Sequence, residues 1–181
     1  MKWTTNTKKF VRRELPRTVL AAMTIAFVVV MITENQIPRA SAAQIEIINA
    51  SREVPASGNK VWNIVSDVDN DPQYWSGIKE VKNVNTNSNV IERNITTINN
   101  ANAHQIVTLD PKKSIIINQT AGPITGTRTL ILSPSDVNRT KIDVSWNMDF
   151  SGIPIIGRGF AKDNILKSTE EALNKIAEAA K

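Results

Sequence analysis

The stretch "VPASGNKVWNIVSDVDNDPQYWSGIKEV", residues 54–81, decides how this chain is read. Its centre, Ser66 to Trp75, sets three aspartates two residues apart and ends in a proline and an aromatic pair. Asp-x-Asp-x-Asp often opens a calcium loop, so a metal site has to be weighed first. An EF-hand loop starting at Asp67 needs glycine at its sixth position and a bidentate glutamate at its twelfth. Those positions hold Pro72 and Ile78, so the loop fails twice. A looser surface calcium site through Asp67, Asp69 and Asp71 stays open beside the plainer alternative, a solvated acidic turn. Upstream, Pro55 marks a helix entry, Ser57 offers an N-cap hydroxyl, and Val61, Ile64, Val65 and Val68 recur at helical spacing. The expectation is a short helix followed by a tight turn.

On either side of this stretch the hydrophobic period is mostly two. "QIEIINAS" from Gln44 alternates at Ile45 and Ile47 and predicts a strand. Six more predicted strands follow, beginning at Ile78, Asn89, Ala103, Ser114, Thr127 and Lys141, with connections rich in Asn, Gly, Pro and Asp. Such short connections imply an antiparallel meander. In the last strand Ile142, Val144, Trp146, Met148 and Phe150 share one face, opposite Asp143, Ser145, Asn147 and Asp149. That apolar face needs a cover. After a predicted loop, "SGIPIIGRG", residues from about Phe160 to Lys181 supply one, a helix with Leu166, Thr169, Leu173, Ile176 and Ala180 on one side. The element order is α+β: strand, small helix, six strands, long helix.

The charge divides the chain at residue 42. Residues 1–42 carry seven basic side chains against Glu14 and Glu34, which accounts for the whole net charge of +5, and the remainder is balanced. A folded part without excess cations argues against a nucleic-acid partner. The leader reads as an export signal: a basic segment from Lys8 to Arg17, the apolar run "TVLAAMTIAFVVVMI" from Thr18 to Ile32, and the small-residue box Ala40-Ser41-Ala42. Leu15 and a snorkelling Arg17 could extend the run into an uncleaved membrane anchor, so cleaved and anchored forms both stay open. Either form places residues 43–181 outside the cytoplasm, with the membrane as a partner through the N-terminal segment. The chain has no cysteine, so no disulfide or thiol chemistry exists. Asn94, Asn118 and Asn138 head glycosylation triplets, a weak signal in an asparagine-rich chain.

Pro55, Val61, Trp62, Asp67, Pro72 and Trp75 together resemble the N-terminal signature of the START-like, or SRPBCC, superfamily. The element order over residues 44–181 is similar to its helix-grip fold, a curved seven-stranded antiparallel sheet around a long C-terminal helix. The resemblance implies that the acidic turn forms part of the rim of a cavity, with Asp67, Asp69 and Asp71 capping helix ends and solvating the turn. It also implies a cavity between sheet and helix for a lipid or another hydrophobic small molecule. Trp62, Trp75, Trp146, Met148, Phe150, Leu166 and Leu173 are the candidate ligand contacts, each also readable as ordinary core.

Enzymatic chemistry has less to work with. His104, the single histidine, lies in a predicted strand, too little for zinc and unsupported as a triad base. No cofactor, metal or catalytic residue is assigned. Two alternatives to an exported carrier stay open: a polyketide cyclase/dehydrase-like enzyme using polar cavity residues, which the resemblance implies, and a membrane-anchored lipid or quinone chaperone, for which the leader would act as the anchor.

Overall fold

The computed structural model describes residues 45–181, and the leader expected over residues 1–42 lies outside them. The described chain runs β1 (Ile45–Val54), α1 (Gly58–Val65), a 3-10 turn (Val68–Asn70), α2 (Asp71–Tyr74), β2 (Ile78–Asn87) and β3 (Val90–Thr97). It continues through β4 (Asn102–Asp110), β5 (Ser114–Ala121), β6 (Thr125–Asp136), β7 (Arg139–Asp149) and α3 (Ile155–Ala179). The strands form one antiparallel sheet in the order β1-β7-β6-β5-β4-β3-β2. Because β1 and β2 are the two edges, the segment holding α1 and α2 carries the chain from one side of the sheet to the other. This is the helix-grip α+β arrangement.

The short helix forms for the reason its sequence suggests. Ser57 sits in extended backbone at the N-cap, and its hydroxyl accepts a hydrogen bond from the Lys60 amide at 3.4 Å. Val61 and Val65 then bury one helical face. Along β7, Ile142, Val144 and Met148 are buried, Trp146 is half-buried and Asn147 is exposed, with Phe150 buried just past the strand's end, as alternation leads one to expect. The closing helix buries Thr169, Ala172, Leu173, Ile176 and Ala177. Burying a Leu or Ile side chain is worth about 1.5–3 kcal/mol, so these contacts hold α3 to the sheet.

Two boundaries differ from the sequence expectation. The long helix begins at Ile155, and the predicted loop glycines Gly157 and Gly159 lie inside its first turns. Pro154 occupies the N-cap with its φ at −54°. Its carbonyl accepts the Gly157 amide at 2.8 Å. Arg158 Nε adds a bond to the Ile153 carbonyl at 2.9 Å, and these local ties offset the cost of helical glycine. Strand β6 likewise runs on through Pro134, where a loop is expected. A register shift between Pro134 and Asp136 accommodates the missing amide.

Candidate functional site

Pairing across the sheet places four polar side chains in the middle of an apolar inner face. Arg93 of β3 lies opposite Gln105 of β4, and Gln105 lies opposite Gln119 of β5. Ile117 of β5 lies opposite Arg128 of β6, and Arg128 opposite Trp146 of β7. All of them share the sheet face that carries the core.

Arg93 is 0% exposed and uses all three of its nitrogens. Its Nε donates to Gln105 Oε1 at 3.0 Å, Nη1 to the Val68 carbonyl at 2.7 Å, and Nη2 to Asp71 Oδ2 at 2.6 Å. Gln105 Nε2 donates onward to Gln119 Oε1 at 2.9 Å, and Gln119 Nε2 donates to the Ile124 carbonyl. A continuous hydrogen-bonded chain therefore runs from the acidic turn across three strands to the β5–β6 loop. Ionic members of such a chain are tolerable in a core only when their partners are in place.

Asp71 corrects the expectation for the three aspartates. Asp67 and Asp69 are exposed and accept from Asn70 Nδ2 at 2.6 Å and Asn83 Nδ2 at 2.8 Å. Asp71 is buried and holds two arginines, Arg93 and Arg128. No side chain of Asp67 caps the 3-10 turn. Among the described residues no cluster of His, Cys, Asp or Glu is arranged to hold a metal ion.

Arg128 is held differently from Arg93. Its Nη2 donates to Asp71 Oδ2 at 3.3 Å, and its guanidinium lies 3.8 Å from the Trp75 ring centroid and 5.3 Å from that of Trp146. The two indoles meet edge to face with centroids 6.0 Å apart. Burial pushes the Arg128 guanidinium down from its ordinary value to about 10; Asp71 opposes this shift and Arg93 adds to it. At neutral pH it stays charged.

Around these groups the packing opens. A pocket of about 170 Å³ lies between the sheet and α3, walled by Trp75, Ile117, Trp146 and Met148 and roofed by Ile165 and Ser168. Thr97, Gln105, Gln119, Arg128 and Ser168 are its polar lining. Gly126 also borders it, at φ +138°, where a Cβ would fall 2.2 Å from the Asn147 carbonyl oxygen; only glycine allows this close approach. A wider basin of about 790 Å³ adjoins the pocket, sharing Gly77, Thr97, Gln119, Ile124, Ile165 and Ser168 with it. Ile98 and Phe160, both largely exposed, stand along the basin.

Of the sequence-predicted contacts, Trp75, Trp146 and Met148 border the pocket. Phe150 and Leu166 belong to the apolar cluster that also contains Met148, Trp146 and Ile165, one layer behind the wall. Leu173 of α3 is buried in the main core, and Trp62 of α1 packs half-buried against it. Sequence reasoning missed Asp71, Arg93, Gln105, Gln119 and Arg128 as a group. The signal was present as parity: Arg93 stands two residues from Ile91 and Ile95, and Arg128 two from Leu130, so both had to share the apolar face. His104 has the opposite parity from the buried Ala103 and Gln105, and it pairs with Glu92 at 3.0 Å and Thr120 at 2.9 Å, away from the pocket.

The sequence and fold agree with one family. Residues 46–181 match the family described as polyketide cyclase/dehydrase and lipid transport, and the chain belongs to it. Among curated proteins no sequence matches. The Zhui aromatase/cyclase from Streptomyces sp. R1128 superposes with a TM-score of 0.67 at 14% identity, over 76% of this chain and 94% of that one. A protein from Thermus thermophilus gives 0.66 at 15% identity, over 75% and 97%. A START superfamily protein from Mycobacterium smegmatis gives 0.55 at 18% identity, over 74% and 92%. At these identities the likeness speaks for the fold, and family and fold together point to a ligand-binding domain.

Proposed function

We propose that residues 43–181 form an extracytoplasmic domain that binds a lipid or another hydrophobic small molecule in the pocket between sheet and α3, with the leader acting as signal or membrane anchor. The observation that carries this reading is the pocket itself, an apolar hollow beside tryptophans with a few convergent polar groups, which is the usual make-up of a small-molecule site. The family description, which names lipid transport, supports it. The likeness to an aromatase/cyclase raises the enzymatic alternative. Among the described residues lining the pocket, however, the ionisable group is a guanidinium, which orients charge and does not shuttle protons near neutral pH. That composition favours binding over acid–base turnover.

The test is to express the full chain with its leader, purify it, extract it with organic solvent and analyse the extract by mass spectrometry. The reading expects an apolar molecule in near-stoichiometric amount and thermal stabilisation by added lipids. Recovery of no such molecule in repeated preparations, with no thermal shift, overturns it. N-terminal sequencing of the same sample separates a cleaved leader from an anchor.

A further inference from the structure

We propose that the pocket selects an amphipathic carboxylic acid, its carboxylate bound at Arg128 and its apolar body extending beneath α3 toward Phe160 and Ile98. The proposal rests on the apolar-pocket reading above and adds the chemistry of the ligand's head.

Charge is the first argument. Two buried arginines, Arg93 and Arg128, share one carboxylate, Asp71, through the same oxygen. The cluster therefore holds an excess of one positive charge in a water-poor interior, an arrangement that is costly unless an anion completes it.

Hydrogen bonding is the second. Arg93 spends its nitrogens on Gln105, Val68 and Asp71. Arg128, only 6% exposed, makes a single hydrogen bond among the described residues, the longer of the two to Asp71. Every fully enclosed side-chain nitrogen or oxygen among the described residues has a partner. The remaining guanidinium nitrogens of Arg128 must then border open space. Arg128 lines two spaces: the 170 Å³ pocket and a crevice of about 10 Å³ beside Asp71 and Leu130, room for one water at most. A carboxylate fits only the first. There the guanidinium lies over the Trp75 ring, with Trp146 farther off, and a carboxylate would meet it through the nitrogens that Asp71 does not hold.

Polarity along the pocket sets the direction. Arg128 is the charged group of the inner pocket, neutral Thr97, Gln119 and Ser168 lie where pocket and basin meet, and Ile98 and Phe160 stand along the basin beside Lys167 and Glu171, whose opposite charges balance. An acid entering head first satisfies each level in turn, with its tail outermost.

The experiment titrates the full chain at pH 8 with decanoate and with 1-decanol, read by calorimetry and by tryptophan fluorescence, since Trp75 and Trp146 flank the predicted head site. Wild type is expected to bind decanoate at least tenfold more tightly than 1-decanol. Arg128→Met is expected to lose that preference, weakening decanoate tenfold or more while leaving 1-decanol within twofold. Equal binding of both probes by wild type overturns the carboxylate proposal and leaves the apolar pocket standing; binding of neither removes both. The wild-type comparison needs no variant, so it decides even if Arg128→Met fails to fold. Equal loss of both probes in a folded variant assigns Arg128 a structural role and overturns the head site.

Discussion

The two halves of α3 rest on different ground. Its C-terminal half buries Ala172, Leu173, Ile176 and Ala177 against a solid core that includes Val61, Val107 and Ile142, all nearly inaccessible. Its N-terminal half leaves Ile156 98% and Phe160 72% exposed, and roofs the pocket with Ile165 and Ser168. One helix thus serves as a plug at one end and as a lid over open space at the other. The lesson is that side-chain volume, more than backbone topology, decides where a helix-grip fold is hollow. The solid end is filled by Val, Ile and Leu. The hollow end is spanned by Gly126 and by arginine and glutamine side chains committed to one another.

The two buried arginines repeat this contrast, and the largest effect is expected there. Arg93→Met leaves Gln105 and the Val68 carbonyl without their donor and removes the closer partner of Asp71. Breaking a buried pair from one side costs about 3–5 kcal/mol, to be read by urea denaturation. A loss under about 1 kcal/mol would show that the network is dispensable. Next, Leu173→Ala should cost about 2–5 kcal/mol, because the solid end cannot close over the void. Ile165→Ala, over space already open, should cost less than about 1.5 kcal/mol, below the usual range for core truncation. Equal costs for the two would erase the difference between the ends of α3.

Arg128→Met is expected to act in the opposite direction. The folded guanidinium titrates near 10, below its ordinary value, so its charged form is disfavoured by folding. The sign follows: this penalty is fully present below pH 10, diminishes as pH rises from 10 toward the ordinary guanidinium value, and is absent once the unfolded form is neutral as well. Removing the group should therefore raise the stability of the empty protein at neutral pH by about 1 kcal/mol, a shift of several degrees in thermal midpoint. A clear fall would mean that Asp71 and the tryptophans compensate the burial in full. Smallest of all, Phe160→Ser should change stability by less than about 0.5 kcal/mol, since the ring is exposed.

Much of the fold was legible because it depends on period and punctuation. Alternation in Ile142 to Phe150, the Ser57 cap and the helical face through Leu173 and Ile176 are local patterns, and each has its counterpart in the structure. The start of α3 was hidden because Gly157 and Gly159 weaken a helix locally, while the capping contacts around Pro154 and Ile153 are seen only in three dimensions. The acidic turn was half legible. Asp67, Asp69 and Asp71 look alike in sequence, yet one of them is drawn inward by Arg93 and Arg128, respectively 22 and 57 residues further along. Pairings at that separation depend on sheet register, which composition does not encode.

A crystal structure of the protein grown with 1-decanol, a neutral ligand that leaves the Arg128 proposal aside, tests the hollow most directly. The account predicts density for the chain between Trp75, Trp146 and Ile165, with α3 in place above it. A space closed by inward-turned side chains, with the alcohol bound instead on the outer face of the sheet near Ile116 and Ile131, would contradict it.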